Sequence, residues 1–70
     1  MIKELSGTII ELIDDSSGII LGENNKKYFF TKMDFLVNFT PEINQKVMFK
    51  PEIIRTNNGF LYKALLISND

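Results

Sequence analysis

The sequence predicts an all-β protein of five short strands closed into a small barrel. Three observations carry this. Short apolar runs alternate with polar turn clusters at about the 8–12-residue spacing of small β-proteins. The one ambiguous stretch, residues 34–40, is too short for a stable helix and reads as a single helical turn or an irregular connection. Five strands in 70 residues, with no helix to cover a face, must curl and close on themselves.

The first strand is Thr8-Ile9-Ile10-Glu11-Leu12-Ile13, rich in β-branched residues. Asp14-Asp15-Ser16-Ser17-Gly18 follows with turn chemistry: carboxylates that bond local amides, then a glycine free to take positive φ. Ile19-Ile20-Leu21 is the second strand, closed by Gly22-Glu23-Asn24-Asn25. Lys26-Lys27-Tyr28-Phe29-Phe30-Thr31 is the third, and alternation puts Tyr28 and Phe30 on one face and Phe29 and Thr31 on the other. One of those sets is core, and Phe29 is assigned outward. Lys46-Val47-Met48-Phe49-Lys50 opens the fourth strand with Val47 and Phe49 on one face. Pro51 has no N–H for a ladder, which predicts an edge or a bend there. Thr56-Asn57-Asn58-Gly59 reads as a hairpin with an Asn-Gly type I′ turn, leading to a fifth strand from Phe60 to Ile67. Phe60 is expected in the interior, because a small barrel needs aromatics to fill it.

Composition narrows the function. A chain of 70 residues, 44% hydrophobic and 24% charged, is one ordinary folded domain, assigned to residues 1–70, with a thin core. There are no cysteines and no histidines, so disulfides, thiolate or imidazole catalysis and the usual zinc sites are excluded. No nucleophile sits with a base, and Glu11, Asp14 and Asp15 read as surface turn residues rather than a calcium loop or an acid–base pair. The expectation is a protein that is not an enzyme and holds no metal or cofactor. No run free of charged residues exceeds seven, too short for a membrane helix. Met1-Ile2-Lys3-Glu4-Leu5 lacks the apolar stretch of a signal peptide, so a cytoplasmic location is expected and the sequon Asn38-Phe39-Thr40 carries no meaning. The net charge of −1 hides an asymmetry. Residues 1–25 set one lysine against five carboxylates, and residues 26–70 set seven cations against four. Overall acidity opposes capture of nucleic acid by bulk field but leaves room for one basic face.

Particular residues then resemble the cold-shock domain, a five-stranded OB-type barrel, over residues 7 to 67. Gly7-Thr8-Ile9 is similar to the family's Gly-x-Val opening, and Ser17-Gly18-Ile19-Ile20 stands where its second-strand motif ends. Tyr28-Phe29-Phe30-Thr31-Lys32-Met33-Asp34-Phe35 resembles the third-strand motif and is the best match. Gln45-Lys46-Val47-Met48-Phe49 looks like the fourth strand's Gly-Gln-x-Val-x-Phe, and Gly59 with Ala64-Leu65-Leu66-Ile67 looks like the last hairpin and its Ala-x-x-Val. Translation initiation factor one, another OB barrel of similar length, shares the look of Gly7-Thr8-Ile9-Ile10-Glu11 but is usually more basic.

The resemblance implies binding of single-stranded RNA or DNA by outward aromatics that stack on bases and lysines that follow phosphates. Carried over position by position, the first-strand Trp is Glu11 and its neighbouring Phe is Leu12; the second-strand Phe positions are Ser17 and Ile19. Phe29 survives, the His is Thr31, the next aromatic is Lys32, and Phe39 lies near a loop aromatic. A base–aromatic stack is worth about 1–3 kcal/mol, so this loss removes several kcal/mol, and Glu11 adds repulsion of a phosphate backbone. The expected function is therefore weak, salt-sensitive single-strand binding through Phe29, Phe39, Lys26, Lys27, Lys32 and Thr31, with Lys63 as a further cation. A protein-interaction or self-associating module that has lost nucleic-acid binding is the alternative, through an apolar patch of Leu12, Ile19 and Phe29 contacting a protein partner or a second copy.

Overall fold

A computed structural model describes residues 3–38 and 40–69. Five strands form in the expected order: β1 (Leu5–Asp14), β2 (Ser17–Gly22), β3 (Lys27–Thr31), β4 (Lys46–Thr56) and β5 (Gly59–Asn69), with a 3-10 turn at Lys32–Asp34 after β3. They close into a barrel in the order β1-β2-β3-β5-β4, with β4 returning to β1. All neighbours are antiparallel except β3 and β5, which run parallel and meet at Phe29 and Lys63. The protein is thus all-β, with the five-stranded closure of an OB-type barrel. Among the described residues no helix is long and apolar enough to cross a membrane.

Every strand contributes to the core, which consists of Ile9, Ile20, Tyr28, Phe30, Val47, Phe49, Ala64 and Ile67. Tyr28 and Phe30 point inward and Phe29 outward, as period-two alternation requires. The Tyr28 ring tilts against Phe49 at 4.9 Å, and its hydroxyl accepts a hydrogen bond from Asn24 Nδ2 at 2.9 Å, so the polar end of this buried ring has a partner. Phe30 meets the edge of Phe35 at 5.4 Å.

Alternation alone does not account for β1 and β5. Register shifts fall between Ile9 and Glu11 and between Leu12 and Asp14, so Ile10 and Ile13 are extra residues that bend β1 around the barrel. In β5, Met48 faces Ser68 while Lys50 faces Leu65, which sets Leu66 and Ile67 against Phe49 alone. Leu66 takes φ 52°, and this bulge lets Ala64 and Ile67, three apart, both face the core.

The turns also depart from the sequence reading. The β1–β2 hairpin turns at Asp15-Ser16, and Gly18 lies within β2 without positive φ. Its smallness is needed for packing: a Cβ there would sit 2.8 Å from Phe30 Cζ and collide with the Glu11 carbonyl oxygen. Asp14 closes the turn instead, its Oδ1 accepting from Ser16 N at 2.8 Å and from Ser17 Oγ at 2.9 Å. At the β4–β5 hairpin the loop is Asn57-Asn58, neither with positive φ, so it is not type I′; Gly59 takes φ 128° as the first residue of β5. Pro51 does sit at an edge, since β1 pairs with β4 only as far as Phe49.

Phe60 is the clearest correction. It is 65% exposed rather than interior. β4 and β5 continue beyond the ends of their other partners, β1 and β3, as a two-stranded ribbon, and residues 52–61 are exposed throughout.

Candidate nucleic-acid interface

The outer face of the barrel carries a row of side chains fixed by strand pairing. Glu11 on β1 opposes Ile19 on β2, Ile19 opposes Phe29 on β3, Phe29 meets Lys63 on β5, and Lys63 opposes Glu52 on β4. Opposed residues hold their Cβ atoms about 4.5–5.5 Å apart, so Phe29 lies between an aliphatic neighbour and a lysine. Phe29, Ile19 and Lys63 are each half-buried, leaving part of the ring open to a ligand. Lys27 and Thr31 flank Phe29 at i−2 and i+2 and share its face. The carboxylates Glu11 and Glu52 terminate the row, Glu52 directly across from Lys63, whereas Lys27 lies across from Leu21.

The other residues expected at the site are dispersed. Lys26 lies in the β2–β3 turn, where its Nζ sits 5.3 Å from the centroid of the Tyr62 ring, away from Phe29's face. Lys32 lines a cleft of about 540 Å³ with Leu12, Asp14, Asp15, Thr40 and Pro41, where two carboxylates offset its charge. Thr31 is occupied structurally: its backbone N–H and hydroxyl both donate to Asp34 Oδ2, at 2.9 and 3.3 Å, and hold the 3-10 turn against the end of β3. Phe39 lies outside the described residues.

The apolar patch expected from Leu12, Ile19 and Phe29 is not one surface. Leu12 opposes Gly18, whose missing Cβ points at Phe30 in the core, so Leu12 is on the opposite face from Ile19. Exposed apolar side chains gather elsewhere, at Met33, Leu36 and Val37 after β3 and at Ile53, Ile54, Phe60 and Leu61 on the ribbon. Residue type alone did not reveal either group, since both depend on where neighbouring strands end.

Asp14 is a titratable residue at the end of β1. Its carboxyl is held below its ordinary value of 3.8 by the Ser16 N–H first and the Ser17 hydroxyl next. These hydrogen bonds tighten the turn. Among the described residues no three His, Cys, Asp or Glu side chains converge as a metal site. No model of a known protein family matches the chain, and no curated protein is similar enough in sequence to count as a relative.

Proposed function

We propose that this barrel is a divergent cold-shock-like domain that binds single-stranded RNA or DNA weakly, through the outer face of β3. The observation that carries the reading is Phe29, held outward between Ile19 and Lys63 with Lys27 on the same face. One ring offers one base a stacking partner, and the two lysines offer phosphate contacts; one stack rather than several makes the binding weak. Lys26 and Lys32 are peripheral to this contact, and Thr31, on the same face as Phe29, is engaged by Asp34.

The test is a titration of a fluorescent pyrimidine-rich oligonucleotide, as DNA and as RNA, at about 50 and 200 mM salt. Saturable binding that weakens with salt is expected, and Phe29→Ala lowers affinity about 5- to 150-fold while the protein stays folded. No binding by the wild-type protein at low salt sinks the reading. An unfolded Phe29→Ala variant makes Phe29 a structural residue.

A second reading, a protein-interaction module, is favoured by Met33, 93% exposed beside Leu36 and Val37, above a groove of about 420 Å³ lined by Phe35, Leu65 and Leu66. A mass that rises with protein concentration supports its self-associating form, and a constant monomer mass removes it.

A further inference from the structure

The tip of the β4–β5 hairpin carries chemistry that needs no ligand. Its loop is Asn57-Asn58, and Asn58 is followed by Gly59. Of the seven asparagines in the chain, Asn58 alone precedes a glycine. An asparagine Cγ is an electrophile within reach of the next residue's backbone nitrogen, and attack closes a five-membered succinimide ring. A Cβ on the following residue crowds that approach, and glycine has none. Gly59 takes φ 128°, and a Cβ added there would meet no atom within 4 Å, so no neighbouring group covers that side of the residue.

The surroundings leave the Asn58 amide free to react. Asn58 and Gly59 are exposed, on a ribbon that runs past the last pairs of β1 and β3. The Asn58 backbone N–H donates to Thr56 Oγ1 at 3.3 Å, but among the described residues no hydrogen bond holds its side-chain amide. Asn24 is the contrast. Its Nδ2 donates to the Tyr28 hydroxyl at 2.9 Å and its Oδ1 accepts from Lys26 N at 3.2 Å, so the amide is fixed. Gly59 with Thr56 is also the last pair of its ladder, and terminal pairs fray at a free energy near zero.

We propose that Asn58 is a self-modification site, converting without an enzyme through a succinimide with Gly59 to aspartate or isoaspartate. The bond from Gly59 N to Asn58 Cγ forms, the bond from Cγ to Nδ2 breaks, and the Gly59 amide proton leaves with the departing ammonia. Water then opens the ring. Its attack at Cγ gives aspartate; its attack at the Asn58 main-chain carbonyl carbon gives isoaspartate, with the chain rerouted through Cγ. Either product adds one negative charge to a chain of net charge −1. Isoaspartate also adds a methylene carbon to the backbone of a two-residue loop. Loop length fixes the pairing of a hairpin, so Thr56–Gly59 and Arg55–Phe60 lose their match and the ribbon loosens from its tip.

Ageing the full chain, native and in guanidinium chloride, with intact mass and peptide mapping as readouts, tests this. Conversion at residue 58 is expected to replace NH with O, to take the new oxygen from heavy-oxygen water, and to run faster in mild alkali, where the attacking nitrogen sheds its proton. The native rate is expected within about 10-fold of the unfolded rate, because a fraying tip needs almost no opening energy. Dependence on global unfolding would slow it by about 1,000-fold or more. A native deficit beyond about 10-fold overturns the proposal. Asn58→Ser, its fold checked by circular dichroism, is expected to abolish the conversion; persistence in this variant, or mapping to another asparagine, overturns the site. A product containing aspartate without isoaspartate overturns the ring route, since direct hydrolysis of the amide gives aspartate alone. Amide hydrogen exchange over residues 53–62 is expected to be faster in the isoaspartyl fraction than in unmodified protein, and equal exchange overturns the loosening of the ribbon.

Discussion

Two residues show how local chemistry is set by position. Asp14 accepts three hydrogen bonds through one oxygen, from Ser16 N, Ser16 Oγ and Ser17 Oγ. Because its folded pKa lies below its ordinary 3.8, it adds stability that is fully present above that value and is lost as pH falls through the folded pKa. Asn at this position keeps an acceptor oxygen but cannot titrate. The melting temperature of Asp14→Asn is therefore expected below that of wild type near neutral pH, with the gap narrowing below about pH 4; a gap independent of pH contradicts the assignment. Leu66 is the second case. Its φ of 52° is a left-handed conformation that costs a non-glycine residue about 1–2 kcal/mol, and its side chain is half exposed, so packing does not demand leucine. Ordinary strand preferences should reverse there. Leu66→Val, the better strand former, is expected to lower stability by about 1 kcal/mol, whereas Leu66→Asn, which tolerates this conformation, is neutral or stabilising in the same urea titration.

At the scale of elements, the readable part of the sequence was the part governed by nearest neighbours. Lys27 to Thr31 alternates without interruption, and its inward and outward faces follow from the residue types alone. The same logic fails where a bulge changes parity. Counting by twos from Ala64 sends Leu66 inward and Ile67 outward, the opposite of what the bulge produces. Glycines mislead for a related reason. Gly18 looks like a turn residue beside Asp14 and Asp15, but its need for space comes from Phe30, twelve residues away on another strand. Phe60 is expected in the interior only because a small barrel needs aromatics to fill it. Its exposure is decided by β1 and β3, which stop pairing at Leu5–Phe49 and Phe29–Lys63. A strand's own residues do not record where its partners end. The candidate site divides the same way: Phe29 and Lys27 are legible from one strand, whereas the placement of Lys26 over the Tyr62 ring and the carboxylates around Lys32 require the closed barrel.

For the whole molecule, the decisive quantity is how little core holds the barrel closed. Among the described residues eight buried hydrophobic side chains serve all five strands, and Phe30 and Phe49 are the largest of those that are fully buried. Native stability runs at about 0.05–0.15 kcal/mol per residue, which for a chain this size is roughly 4–10 kcal/mol. Truncating a buried Phe to Ala costs about 3–5 kcal/mol, a large share of that total. Phe49 touches the Tyr28 ring that also packs against Tyr62, so its loss loosens the joint between β1–β4 closure and the base of the ribbon. Phe49→Ala and Phe30→Ala are each expected to lower the melting temperature by about 12–40 °C, or to leave the chain unfolded at room temperature. Phe29→Ala and Phe60→Ala, which remove outward rings of the same size, should shift it by only a few degrees. Circular dichroism melts of the four variants compare them directly. That separation also decides how the binding experiment is interpreted, because affinity lost in Phe29→Ala belongs to a ligand contact only if its melt stays close to wild type while those of Phe30→Ala and Phe49→Ala collapse. A melt of Phe29→Ala as low as that of Phe30→Ala places the ring in the core, against the outward position that the pairing of Phe29 with Ile19 and Lys63 gives it.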